Sequence, residues 1–288
     1  MQRVKFQQLA EVFDELDETS SSSRMIRILA DFFAAVSSED ARIAAYLLKG
    51  QVTPDYVGTE FGVAKKLVIR ALATAFRKPL ESVEKAFHKH GDLGSVAAQL
   101  GKSGQGAGLS LKEVFEQLQK LASASGPGSQ EVKINLLAAL LSHCSGREAK
   151  YVVRVVLGTL RLGVAEMTVL SALSKALTGT TENKPTLEYA FNVYADLGEV
   201  AYRAVKQGVK ALADATPAVG VPIRMMLAQR VQSLDEVPQR MPELGFVEYK
   251  YDGERVQVHM AKKGDITLYS RRQENITHQF PEVVDAIR

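Results

Sequence analysis

From Phe6 to about Ala213 the apolar positions recur every three or four residues. Phe6, Leu9, Ala10, Phe13 and Leu16 fall on one face of a helix, as do Met25, Ile28, Leu29, Phe32 and Phe33. Thr19 to Arg24, with four consecutive serines, reads as the loop between them and as a source of helix caps. Gly101 to Gly108 and Ser125 to Ser129 are glycine-bearing connectors. Between Thr216-Pro217 and Val221-Pro222 helix formers give way to proline and glycine, which sets a boundary between residues 1–215 and 216–288. From Phe246 the period drops to two. Strands are expected near 246–251, 254–260 and 266–270, with turns at Asp252-Gly253 and Lys262 to Asp265, and a helix from Pro281. The fold class expected is mainly α and multidomain, an all-α domain followed by antiparallel strands of an α+β domain.

The helical region repeats itself. Phe61 to Phe76 aligns with Leu162 to Leu177 through Gly62-Val63-Ala64 and Gly163-Val164-Ala165. Val83 to Ala97 aligns with Leu187 to Ala201 through Asp92-Leu93-Gly94 and Asp196-Leu197-Gly198. Two copies are too few for a solenoid and imply one domain of two halves about an approximate dyad. Asp92 and Asp196 read as N-caps, and Gly94 and Gly198 would let a ligand approach each first turn. Helix N-termini carry unpaired N–H groups and the positive end of the helix dipole, so they suit phosphate. Two such ends related by a dyad could hold the two backbones of a duplex across a minor groove, independent of sequence. Two well-capped helices packed on glycine would give the same pattern.

Composition narrows the class only modestly. The 288 residues are 46% hydrophobic with a net charge of +3, compatible with a polyanionic partner. The single cysteine, Cys144, excludes an internal disulfide framework, fits a reducing compartment and reads as a small helix-face residue. His88 and His90 are too few for a metal site, and no metal-ligating residues are assigned. No run reaches transmembrane length and no signal peptide opens the chain, so a cytoplasmic protein is expected, nuclear in a eukaryote, without membrane contact.

The densest chemistry lies in Glu248-Tyr249-Lys250-Tyr251-Asp252-Gly253-Glu254-Arg255. A hairpin turning at Asp252-Gly253 would set Lys250 opposite Arg255, with Glu248 on the same face. A lysine attacks only as the neutral amine, which a neighbouring guanidinium and partial burial both favour. A charged surface hairpin would show the same pattern, so this stretch alone does not decide.

Lys250-Tyr251-Asp252-Gly253 with Arg255 resembles the first signature motif of the covalent nucleotidyltransferases: DNA ligases, RNA ligases and mRNA capping enzymes. Met226-Leu227-Ala228-Gln229 resembles the segment before that motif in ATP-dependent DNA ligases, and Tyr269-Ser270-Arg271-Arg272 the motif after it. The likeness is to the replicative ATP-dependent DNA ligases of archaea and eukaryotes and covers nearly the whole chain. It implies a helical DNA-binding domain and the start of an adenylation domain. It casts Lys250 as the nucleophile towards ATP, Arg255 and Arg271 as contacts to phosphate and ribose, and Glu248 as a contact on the adenine side. It makes Thr19 and Arg24 phosphate contacts, with Asp92, Gly94, Asp196 and Gly198 at the DNA. Arg272 and His259 read equally well as solvated positions. ATP and Mg2+ are the implied cofactors. Nicked double-stranded DNA is the implied partner, with a sliding clamp possible for a longer parent protein, and a monomer is expected.

The family's later glutamate motifs, its Lys-x-Lys motif and its OB-fold have no counterpart before Arg288. The chain therefore resembles the N-terminal half of a ligase and is expected to be inactive alone. The alternatives are a ligase-derived, non-catalytic DNA-binding protein, and an RNA ligase or capping enzyme. The latter share Lys-x-Asp-Gly but not the repeated Asp-Leu-Gly. Nothing here resembles the nicotinamide-binding segment of NAD-dependent ligases.

Overall fold

The computed structural model describes residues 4–101, 106–226, 229–241 and 245–288. Among the described residues twelve α-helices fill the first part of the chain: α1 (Phe6–Asp17), α2 (Ser22–Ala35), α3 (Ser38–Leu48), α4 (Lys65–Phe76), α5 (Leu80–His90), α6 (Leu93–Leu100), α7 (Leu111–Ser123), α8 (Ser129–Ser142), α9 (Gly146–Val156), α10 (Glu166–Thr178), α11 (Lys184–Tyr194) and α12 (Leu197–Gln207). Their apolar stripes meet in one core running from Val4 to Ala215, with Phe6, Phe13, Phe33, Tyr151 and Phe191 fully buried. The helix periodicity of the sequence is thus realised, with two local differences. Helix α2 begins at Ser22, so the serine loop is shorter than expected and Arg24 stands in the first helical turn. Cys144 lies buried in the α8–α9 turn rather than on a helix face, donating to the Leu140 carbonyl at 3.3 Å, and burial pushes its thiol well up. Of the connector Gly101 to Gly108, residues 102–105 lie outside the described residues.

The repeat is deeper than the sequence indicates. Helices α4–α6 correspond to α10–α12, and α1–α3 correspond to α7–α9. Each first triplet packs on the last triplet of the other half: α2 on α10 and α3 on α12, α8 on α4 and α9 on α6. The lead-ins of α1 and α7 pair with each other, Phe6 N donating to Leu109 O at 3.0 Å and Leu111 N to Val4 O at 2.8 Å. Equivalent positions bonding to each other is what an approximate two-fold axis through this bridge requires. The halves are therefore interlocked, and neither can bury its stripes alone.

Beyond Ala215 the chain runs without regular structure past Pro217 and Pro222, then through a short helix, α13 (Val237–Arg240). Strands β1 (Gln257–Met260) and β2 (Ile266–Tyr269) pair antiparallel, Gln257 facing Tyr269 and Met260 facing Ile266. Their turn is the expected one, closed by Gly264 N donating to Ala261 O, with Gly264 in the left-handed region at φ 87°. Helix α14 (Pro281–Ile287) starts at Pro281 as expected and covers the strands, forming a second small core of Ile266, Leu268, Ile276 and Val284. The strand expected at 246–251 is not formed. Asp252-Gly253 is a bend without a ladder, and Phe246, Val247, Tyr249 and Tyr251 are 85–100% exposed. The Asp-Gly signal is local, whereas an isolated hairpin in water is marginal without a face to pack against.

Candidate functional site

The turn after β2 is held by the Ser270 hydroxyl, which accepts from Arg272 N at 3.2 Å and Glu274 N at 3.3 Å. Two backbone bonds tighten it, Gln273 N to Ser270 O and Ser270 N to Glu274 O, both 2.9 Å, with Gln273 at a left-handed φ of 69°. Ser270 and Gln273 are buried, so Arg271 and Arg272 are turned outward together. They line a cavity of about 820 Å³ with Gly253, Glu254, Arg255 and Glu274. Arg255 and Arg271, assigned to the nucleotide, therefore share one concave surface. Arg272, read as an equally solvated position, joins them. Three guanidiniums on one cavity suit a polyphosphate, since arginine matches phosphate oxygens in two-pronged fashion.

Lys250 and Glu248 are not brought to this cavity. Both are exposed, and among the described residues no hydrogen bond or ion pair reaches Lys250. The cross-strand juxtaposition of Lys250 and Arg255 is absent because the hairpin that would create it is absent. Of Met226 to Gln229, Leu227 and Ala228 lie outside the described residues, and Met226 is 88% exposed.

Thr19 and Arg24 line one groove of about 580 Å³ between α1 and α2. Arg27 stands with them, but so do Glu15 and Asp31, so the groove carries mixed charge.

Asp92 and Asp196 are N-caps, as the sequence predicts. Asp92 accepts from Gly94 N at 3.3 Å and Ser95 N at 2.9 Å, and Asp196 from Glu199 N at 2.9 Å. The glycines serve another purpose than expected. Both are buried, and the space beside each is filled from within: a Cβ on Gly94 would meet Arg154 Cγ at 2.8 Å, and one on Gly198 the Tyr46 ring at 2.5 Å. Arg154 and Tyr46 stand the same number of residues beyond their serine caps, Ser145 of α9 and Ser37 of α3. Each also holds the cap, Arg154 reaching Asp92 at 3.1 Å and Tyr46 reaching Asp196 at 2.8 Å. The choice of partner sets the carboxyls apart. Burial raises Asp92, but hydrogen bonds from Ser95 and Arg154 outweigh it and hold the group below the usual range. At Asp196 burial wins over the bonds from Glu199 N and Tyr46, and the group is raised.

In front of Asp92 lies a cavity of about 370 Å³ edged by Lys65, Arg154 and Arg161 together with Asp17 and Phe87. Sequence reasoning did not single out these cations. A usable signal was the repeat itself, in which Lys65 stands where the second copy has Glu166. Among the described residues no group of three or more His, Cys, Asp or Glu could hold a metal, and no helix is long and apolar enough to cross a membrane.

Residues 5–174 match the family model for the DNA ligase N terminus, and residues 225–288 match that for the ATP dependent DNA ligase domain. The chain is 42% identical to a DNA ligase of Sulfurisphaera tokodaii across 99% of its own length and 50% of that protein. It is 40% identical to DNA ligase 1 of Methanosarcina acetivorans, covering 49% of it, and 40% identical to a probable DNA ligase of Dictyoglomus turgidum, covering 48%. The chain thus spans about half the length of these relatives. With the N-terminal model alone covering more than half of its residues, this chain belongs to the DNA ligase family.

Proposed function

We propose that these residues serve an ATP-dependent DNA ligase that seals nicks in duplex DNA through an adenylated lysine. The observation that carries the reading is the arginine-lined cavity of Arg255, Arg271 and Arg272, reached by the chain directly after Lys250-Tyr251-Asp252-Gly253. In this reading the Lys250 amine attacks the α-phosphate of ATP, a phosphorus–nitrogen bond forms and pyrophosphate leaves. The AMP then passes to the 5′-phosphate at a nick, and the adjacent 3′-hydroxyl displaces it. Arg255 and Arg271 hold phosphate and ribose, placing charge where it develops in the transition state. Glu248 faces the adenine. Since Lys250 and Glu248 stand outside the cavity, segment 245–256 must fold inward for the attack. Magnesium belongs to this reading as a companion of the nucleotide phosphates. The described residues offer it no cluster of ligands, so no step is assigned to it.

Residues 1–215 are proposed as the DNA-binding domain and 216–288 as linker and adenylation residues. Phosphate contacts are assigned to Thr19 and Arg24 and to the α6 and α12 ends at Asp92, Gly94, Asp196 and Gly198. The glycines act there through close packing. A monomer in the DNA-containing compartment, with a sliding clamp as partner of the longer protein, completes the proposal. The test is nick sealing by a protein extended to the length of the relatives. Loss of sealing in Lys250→Ala with DNA binding retained supports the reading, and retained sealing refutes it.

A further inference from the structure

The two halves differ most where the linker meets them. In the first half Lys65, at the start of α4, stands over the Phe87 ring at 5.6 Å. The repeat places Glu166 at the position of Lys65 and Phe191 at the position of Phe87. Glu166 cannot cap an aromatic face as a cation does, and the missing cation comes from the linker. Arg224 stands over Phe191 at 4.1 Å and pairs with Glu166 at 2.8 Å, while its backbone N–H donates to Asn192 O at 2.8 Å. Lys49 reaches the other oxygen of Glu166 at 2.7 Å and also Asp55 at 2.8 Å, so the carboxylate is held by a cation on each oxygen.

The other side of the same linker segment is bound to the small sheet. Gly220 O accepts from the Tyr269 hydroxyl at 2.9 Å, and Gly220 N donates to His259 Nδ1 at 3.0 Å. Gln257 accepts from Ile223 N at 2.9 Å and donates to Ile223 O at 2.5 Å. Residues 220–224 are therefore a strap between both strands and the α10–α11 corner. The apolar cores on its two sides share no residue. What the strap itself supplies to join them is one part-exposed ion pair, one stacked ring and a few hydrogen bonds, an attachment of the kind that permits domain motion.

We propose that Arg224 is the anchor of a releasable strap. In this state it seats the C-terminal unit on the second half of the helical region, in the place that Lys65 fills in the first half. While Arg224 is seated, the dyad-related faces are unequal: the Asp92 face keeps its open cavity beside Lys65 and Arg161, and the Asp196 face is taken by the protein's own linker. Release of Arg224 lets the C-terminal unit move as a body without unfolding either core.

The 288-residue chain suffices to test this. Cys144 is buried, so spin labels can be placed at Glu182→Cys and Lys263→Cys, two exposed positions on opposite sides of the strap. Electron–electron double resonance is expected to give one narrow distance peak in the parent. That peak should be lost in Arg224→Glu and in Glu166→Gln and kept in Arg224→Lys, with helical circular dichroism unchanged throughout. A broad distribution in the parent, an unchanged narrow peak in Arg224→Glu, or a peak lost equally in Arg224→Lys would overturn the proposal.

Discussion

The Tyr46 hydroxyl donates to both carboxylate oxygens of Asp196, at 2.9 and 2.8 Å, from the position where the other half of the molecule places Arg154 against Asp92. One backbone symmetry thus carries two different electrostatic solutions. The half-buried carboxyl beside a guanidinium is held below its usual range, whereas for the one beside a phenol desolvation outweighs the bonds it accepts.

The two caps should consequently respond to pH in opposite senses. Asp92 is lowered when folded, so it contributes stability above its unfolded value, which is lost as pH falls through the folded one. Asp196 is raised when folded, so its protonation favours the folded chain and stability is gained as pH falls through the folded value. Asp92→Asn should cost about 1–2 kcal/mol at neutral pH, as loss of a charged cap does, with the cost shrinking in acid. Asp196→Asn should cost less at neutral pH, and relative to the parent it should do worse in acid. Urea unfolding from pH 3 to pH 7 checks both signs.

The cap glycines should tolerate no side chain. A Cβ on Gly198 meets the Tyr46 ring at 2.5 Å, and one on Gly94 meets the Lys150 carbonyl oxygen at 3.0 Å besides Arg154. Overpacking of this kind costs about 1–3 kcal/mol. Gly198→Ala and Gly94→Ala should each lower the melting temperature measurably, and Gly198→Ala more, because a packed ring yields less than an arginine stem. Differential scanning calorimetry reads the difference.

DNA binding by residues 1–215 should be electrostatic and blind to sequence. If Arg24 and the cations before Asp92 hold phosphates, log affinity falls linearly with log salt. Removing one such contact, as in Arg24→Ala or Lys65→Ala, should lower the slope by about one. Fluorescence anisotropy on two unrelated duplexes across a salt series would show otherwise through a base preference or a flat salt response.

Much of this was legible in the sequence, for definable reasons. Helix faces are written locally, every three or four residues, so the faces of α1 and α2 follow from apolar spacing. The repeat shows between α4–α6 and α10–α12 because Gly-Val-Ala and Asp-Leu-Gly recur there. It is hidden between α1–α3 and α7–α9 because the paired positions carry unlike residues, such as Tyr46 and Arg154. The exchange of triplets between halves is a tertiary fact that no local pattern records. At the site, the family resemblance casts Arg255 and Arg271 as contacts to one nucleotide, and both line one cavity. Lys250 does not stand opposite Arg255, because a turn signal says nothing about what the strands would pack against.

The 288 residues alone should bind DNA without adenylating themselves. Lys250 stands clear of the arginine cavity, and the described residues hold no carboxylate cluster for a metal. Incubation with magnesium and ATP labelled at the α-phosphate should leave the protein unlabelled, and a labelled band would show that segment 245–256 closes unaided.

Lys250 carries the proposed chemistry, and mass spectrometry tests it most directly. A protein carrying these residues, extended to the length of its relatives, is incubated with ATP and magnesium, digested and sequenced by fragmentation. One AMP is expected on Lys250, released by acid, and no adduct in Lys250→Ala even though that variant still binds duplex DNA. AMP on another lysine, or an adduct that survives the substitution, would contradict it.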